Sequence, residues 1–183
     1  AIEREFLVHG DARDRANLEY VLRGVALDPA FVPEHVKEQI REGRYHGGAL
    51  GPDDFDHGHG GWTLEDFINH PHSRIAQLTK PQVLALRLYT TSSFVRFNQP
   101  LRTGVKPHPF AMSVYHLAEA LKKLRTVNAE LDPEGFSQTC ELWRGMADTS
   151  IQHDAFLKMG GTEMAPMSTT LSKQVALNYA SSP

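Results

Sequence analysis

Apolar residues recur at spacings of three and four through much of the chain as far as residue 127, the period of amphipathic helices. Leu18, Val21, Leu22 and Val25 mark a helix over residues 13–24, with Gly24 placed to end it. A second short helix is predicted from Pro33, an early helical residue, through Val36 and Ile40. Residues 43–61 break the pattern. Half of the 14 glycines fall there beside Asp53, Asp54 and Asp56, and no period survives, so a loop or linker is expected. Order returns at Thr63, which with Asp66 reads as a capping box ahead of Leu64, Phe67 and Ile68; His70-Pro71-His72 then breaks the helix in a turn. Thr79 and Pro81 open the next helix, whose buried stripe is Val83, Leu84 and Leu88. Phe94, Phe97 and Leu101 predict another, with Arg102 near a C-terminus, where a cation is favoured. After a loop at 103–109, residues 110–127 give the clearest helix. Val114, Leu117, Leu121 and Leu124 form its stripe, and Lys122 and Lys123 lie on a solvated face.

Beyond the turn signal Asp132-Pro133-Glu134-Gly135 the apolar runs shorten. Residues 139–143 and 165–169 read as strands, 151–157 as a short helix or turn, and Gly160-Gly161 as a sharp turn. A final helix is predicted over 171–180, carrying Val175, Ala176 and Tyr179, with Thr170 or Ser172 as its cap. Helices first and strands later imply an α+β fold. The expected division is a helical leader and Gly-rich linker over 1–60 and a second domain over 61–183.

Composition narrows the partners. A net charge of -3 on 183 residues gives no sign of nucleic-acid binding. No apolar run of the length a membrane helix needs occurs in the sequence. The N-terminus lacks a signal-peptide pattern and a Met, so the chain is expected to be a piece of a longer parent. The lack of a signal peptide and the single cysteine favour the cytoplasm, and a monomer is expected. Cys140 is the single cysteine, which rules out an internal disulfide and a multi-thiolate zinc site; it is expected to be a buried, inert thiol. His46, His57 and His59 lie in the Gly-rich stretch and His70 and His72 flank a proline. Spacing alone names no supporting ligands for either group, and no metal site is expected.

Two short stretches carry candidate chemistry. Arg144, at the end of a strand-like run and beside Gly145, offers a rigid fork of donors that matches phosphate oxygens. Ser168-Thr169-Thr170 offers three hydroxyls that suit a ribose, phosphate or carboxylate. Taken singly, each has a plainer reading: a surface arginine, and a helix cap.

As a set, Leu142-Trp143-Arg144-Gly145, the Gly160-Gly161 turn, Ser168-Thr169-Thr170 and Val175-Ala176 resemble the arginine-specific mono-ADP-ribosyltransferases, the R-S-E branch of the ADP-ribosyltransferase superfamily. Tyr89-Thr90 and the segment Asn98-Gln99-Pro100-Leu101-Arg102 resemble that family's upstream segment, so the resemblance covers about residues 63–183. It implies that the second domain begins a split β-sandwich and that NAD is the substrate. It further implies that Arg144 grips NAD and that Ser168 orients a catalytic glutamate. Thr169 and Thr170 would support the strand, Gly145 would offer backbone to the nicotinamide amide, and Tyr179 would lie near the nicotinamide ring. The implied acceptor is a protein arginine.

Trp143 stands where the family commonly has Tyr, and Thr170 where it has a second Ser. The larger departure is that no Asp or Glu follows Glu163, whereas the family's catalytic glutamate lies downstream of the hydroxyl triplet. Glu3 and Glu5 match a Glu-x-Glu pattern at the opposite end of the chain. The chain is therefore expected to be an inactive fragment of an active enzyme. The alternatives are an NAD-binding pseudoenzyme of the same fold and an unrelated helical interaction domain.

Overall fold

The computed structural model describes residues 1–23, 63–146 and 158–181. The predicted helix through Val36 and Ile40, the Gly-rich stretch with His46, His57 and His59, and the turn at 151–157 lie outside the described residues. The chain forms two compact units, Ala1–Pro133 and Glu134–Pro183.

In its described residues the first unit is helical. The elements there are α1 (Ile2–His9), α2 (Ala12–Arg23), α3 (Leu64–Asn69), α4 (Pro71–Ile75), α5 (Lys80–Tyr89), α6 (Phe94–Thr103) and α7 (Ala111–Leu131). The Thr63–Asp66 capping box forms as expected: Thr63 N–H donates to Asp66 Oδ2 at 2.7 Å and Asp66 N–H to Thr63 Oγ1 at 3.3 Å. His70 ends α3, and Pro71 begins α4 at once, where its missing N–H costs nothing. His70 and His72 stack at 5.1 Å. Gly104, at φ 69, closes α6 in a left-handed conformation that suits glycine.

The core gathers around a cluster of rings. Phe6 packs edge-on against Phe110 at 5.1 Å and Phe97 at 6.1 Å, and Tyr89 stacks on Phe97 at 6.0 Å. Leu18, Val21, Val83, Leu84, Leu88 and Leu117 complete it. Helix α1 belongs to this core, although hydrophobic spacing does not announce it. Glu5 holds it in place: its carboxylate accepts from Met112 N–H at 2.7 Å, Ser113 N–H at 2.9 Å and Ser113 Oγ at 2.6 Å. Those are unpaired donors of the first turn of α7, whose positive dipole end favours an anion. In this structure Glu5 of the Glu3-x-Glu5 pair is thus a helix cap.

Two details of α7 depart from the expected stripe. The buried seam runs through Ser113, Leu117, Ala120 and Val127, while Leu121 is exposed. Ser113 and Ala120 are small and buried, positions that hydropathy alone does not mark, and α7 packs against α5. Lys123 also leaves the solvated face. Its ammonium donates to Gln77 O at 2.9 Å and Gln82 Oε1 at 3.1 Å, tying the left-handed Gln77 to α7. Lys122 stays exposed and pairs with Glu119 at 2.8 Å.

A buried polar cluster joins α2 to the start of α6. Asn17 Nδ2 donates to Ser92 Oγ at 3.0 Å and to Ser93 Oγ at 2.8 Å. Ser93 Oγ in turn donates to Asp14 Oδ1 at 2.8 Å, and Arg96 Nε to Asp14 Oδ2 at 2.7 Å. Arg96 also pairs with Asp11. The Asp14 N–H bond to Asp11 is the main cause that holds the Asp11 carboxyl below its ordinary value, with the Arg96 charge adding to it. A depressed carboxyl stabilises the fold above its unfolded pKa and loses that contribution as pH falls through the folded one. Asp11→Asn is therefore expected to cost a few tenths of a kcal/mol at pH 7, an amount discounted for the exposure of Asp11. The difference from wild type should close on acidification below the ordinary value of 3.8, which urea unfolding across pH can follow.

The second unit holds α8 (Pro133–Ser137), which begins at the boundary where a turn was expected, and α9 (Lys173–Ser181). Among the described residues neither expected strand forms; a single antiparallel bridge joins Trp143 to Thr170. The α-rich part of the expected α+β fold is observed, and the described residues at 139–143 and 165–169 are not strands. An isolated two-stranded ribbon is marginal in water, and few side chains back this one: Ala165 and Ala176 are the described buried apolar residues of the unit. Cys140 is exposed, a correction that follows from the missing strand.

Candidate functional site

The bridge brings the two candidate stretches together. Trp143 N–H donates to Thr170 O at 2.8 Å and Thr170 N–H to Trp143 O at 2.9 Å, a reciprocal antiparallel pair. Lys173 Nζ sits 4.9 Å from the centre of the Trp143 ring. Arg144 Nη2 donates to Glu163 Oε2 at 3.2 Å. The pair is partly shielded, with the two side chains 22% and 28% exposed. Arg144 Nη1 is buried and has no hydrogen-bond partner.

Ser168 and Thr169 are exposed. Thr170 is half-buried and serves the chain itself: its Oγ1 accepts from Ser172 N–H at 3.1 Å, and Ser172 Oγ accepts from Val175 N–H at 3.4 Å. Ser172 thereby caps α9, one of the two caps expected. Gly145 lies directly under α9. A Cβ there would stand 2.1 Å from Ala176 O and 3.0 Å from Ala180 N, so the close approach that glycine allows is taken up by a helix backbone. Tyr179 lies in α9, with its side chain outside the described part.

Glu163 was assigned no role from sequence, and Lys173 was not singled out. A lysine in the first turn of a helix opposes the dipole, which is the one sequence signal that Lys173 has another partner. The upstream motif residues lie in the first unit, where Asn98 Nδ2 donates to Tyr89 OH at 3.2 Å. Among the described residues no three His, Cys, Asp or Glu side chains gather to hold a metal, and no helix is long and apolar enough to cross a membrane. Comparison of the chain with protein-family models, with curated proteins and with solved structures finds no match.

Proposed function

We propose that this chain carries the NAD-gripping part of a mono-ADP-ribosyltransferase that passes ADP-ribose from NAD to a protein arginine. The observation that supports the reading is the reciprocal Trp143–Thr170 pairing. It sets the arginine stretch against the hydroxyl stretch, as two neighbouring strands of the family's split β-sandwich would be. In this reading Arg144 takes NAD through phosphate and ribose oxygens, and Ser168 and Thr169 line the ribose side. The chemistry breaks the bond between nicotinamide and ribose. Charge develops on the ribose, which becomes oxocarbenium-like, and the site must stabilise that cation more than the bound dinucleotide. A carboxylate is needed to polarise the ribose hydroxyl. No Asp or Glu follows Glu163, and Glu163 is engaged with Arg144, so the reading assigns the acid to no residue of these 183.

The expected result is NAD binding without turnover. Nicotinamide release and ADP-ribosylation of a small guanidine acceptor, assayed on the 183-residue chain, should stay at the uncatalysed rate. Enzyme-like turnover would transfer the acid role to a residue of this chain, with Glu163 the first to test. A second reading, a helical interaction domain, draws on the helical character of the described elements. It predicts no response to NAD at all.

A further inference from the structure

The Arg144 fork is used unevenly. One arm, Nη2, is on Glu163, while the other, Nη1, is buried without a partner. An arginine and a carboxylate can form two parallel bonds, so nothing in the pair itself requires an idle arm. A buried donor left unpaired is costly, and the cost is removed when a ligand oxygen reaches it. Glu163 is held by both of its oxygens, since Oε1 also accepts from Ala165 N–H at 3.2 Å. Its backbone belongs to an irregular stretch after Gly160, which has φ 71. Arg144, by contrast, directly follows the bridged Trp143.

Resting on the NAD reading above, we infer that Glu163 is a displaceable stand-in for ligand phosphate on Arg144. A pyrophosphate group displaces the Glu163 carboxylate from Nη2 and takes both arms of the fork. Two anions cannot share one guanidinium without strong repulsion in a partly shielded site. Of the two partners of the ion pair, Glu163 is the one that moves, because the Trp143–Thr170 hydrogen bonds hold the backbone next to Arg144. The exchange sets a threshold. A diphosphate brings more charge and several oxygens to the fork and displaces the Glu163 carboxylate, whereas a single phosphate competes less well. The carboxylate therefore makes the site selective for a dinucleotide diphosphate over a monophosphate.

The test is calorimetric titration of the 183-residue chain with inorganic pyrophosphate, inorganic phosphate and NAD. Glu163→Gln and Glu163→Ala should each tighten pyrophosphate binding roughly three- to ten-fold, and narrow the preference for pyrophosphate over phosphate. The gain should vanish when Arg144→Ala is added. If one Glu163 variant loses its fold by circular dichroism, the other decides. Pyrophosphate affinity unchanged or weaker in the folded variants, a gain that survives Arg144→Ala, or no pyrophosphate binding by any form would each overturn the inference. The NAD arm separates the two claims. Tighter, Arg144-dependent pyrophosphate binding with no response to NAD keeps the exchange and removes the transferase reading. Arg144-dependent NAD binding that neither Glu163 variant alters does the reverse.

Discussion

Replacing Phe97 by alanine is expected to destabilise the helical unit by about 3–5 kcal/mol. Phe97 is 0% exposed and stands where α1, α5 and the start of α7 meet: Phe6 and Phe110 pack against it at 6.1 and 6.2 Å, and Tyr89 stacks on it at 6.0 Å. The substitution removes the ring's transfer energy and leaves a cavity lined by three other rings, which cannot all close in at once. Aromatic contacts add about 0.5–1.5 kcal/mol per pair beyond burial. Against a total of about 5–15 kcal/mol for a typical domain, the loss is a large share. Urea unfolding followed by circular dichroism measures it. Phe97→Leu, which keeps most of the volume, should cost less than about 1.5 kcal/mol. Val95→Ala, at an exposed position two residues away, should stay within about 0.5 kcal/mol of wild type. A Phe97→Ala protein as stable as the Val95→Ala protein would place the core elsewhere.

The helices were readable where sequence supplied both a period and a stop signal. Leu18, Val21 and Leu22 gave α2; Thr63 with Asp66 gave α3; Val83, Leu84 and Leu88 gave α5. Helix α1 was not readable, because eight residues with Ile2 and Phe6 as the buried positions give too little period to stand out. What fixes it is tertiary: Phe6 in the ring cluster and Glu5 on the first turn of α7, a partner more than a hundred residues away. The seam of α7 was misread at Leu121 because burial there follows small residues as much as apolar ones. The strands at 139–143 and 165–169 were over-read. Alternation and β-propensity report a fit to a pleated, half-buried surface, and the described part of this unit offers one bridge and two buried alanines.

The candidate site was legible as a list of residues and not as an arrangement. Arg144 and the hydroxyl triplet were found by residue type and order, and the Trp143–Thr170 bridge does set their stretches side by side. Spacing carries no information on which acid meets Arg144. Glu163 precedes the triplet, whereas the family's acid follows it, yet Glu163 is the group on the guanidinium. Gly145 was marked for backbone exposed to a ligand; in the structure α9 crosses it instead. The triplet also divides its work, with Thr170 serving the turn into α9 and Ser168 and Thr169 exposed.

Arg144→Ala is expected to have the largest effect on ligand binding. A guanidinium that grips phosphate supplies charge-assisted, forked hydrogen bonds, and losing one such partner in a partly shielded site costs roughly 2 kcal/mol or more. That corresponds to about a thirty-fold weaker affinity for NAD. Arg144→Lys keeps the charge and loses the fork, so it should fall between wild type and alanine. The most direct measurement is calorimetric titration of NAD into the folded wild-type chain and into these two variants. Saturable binding to wild type, weakened in the order lysine then alanine, is the result that the NAD reading predicts. No saturable binding to wild type, or equal binding to the alanine variant, would contradict it.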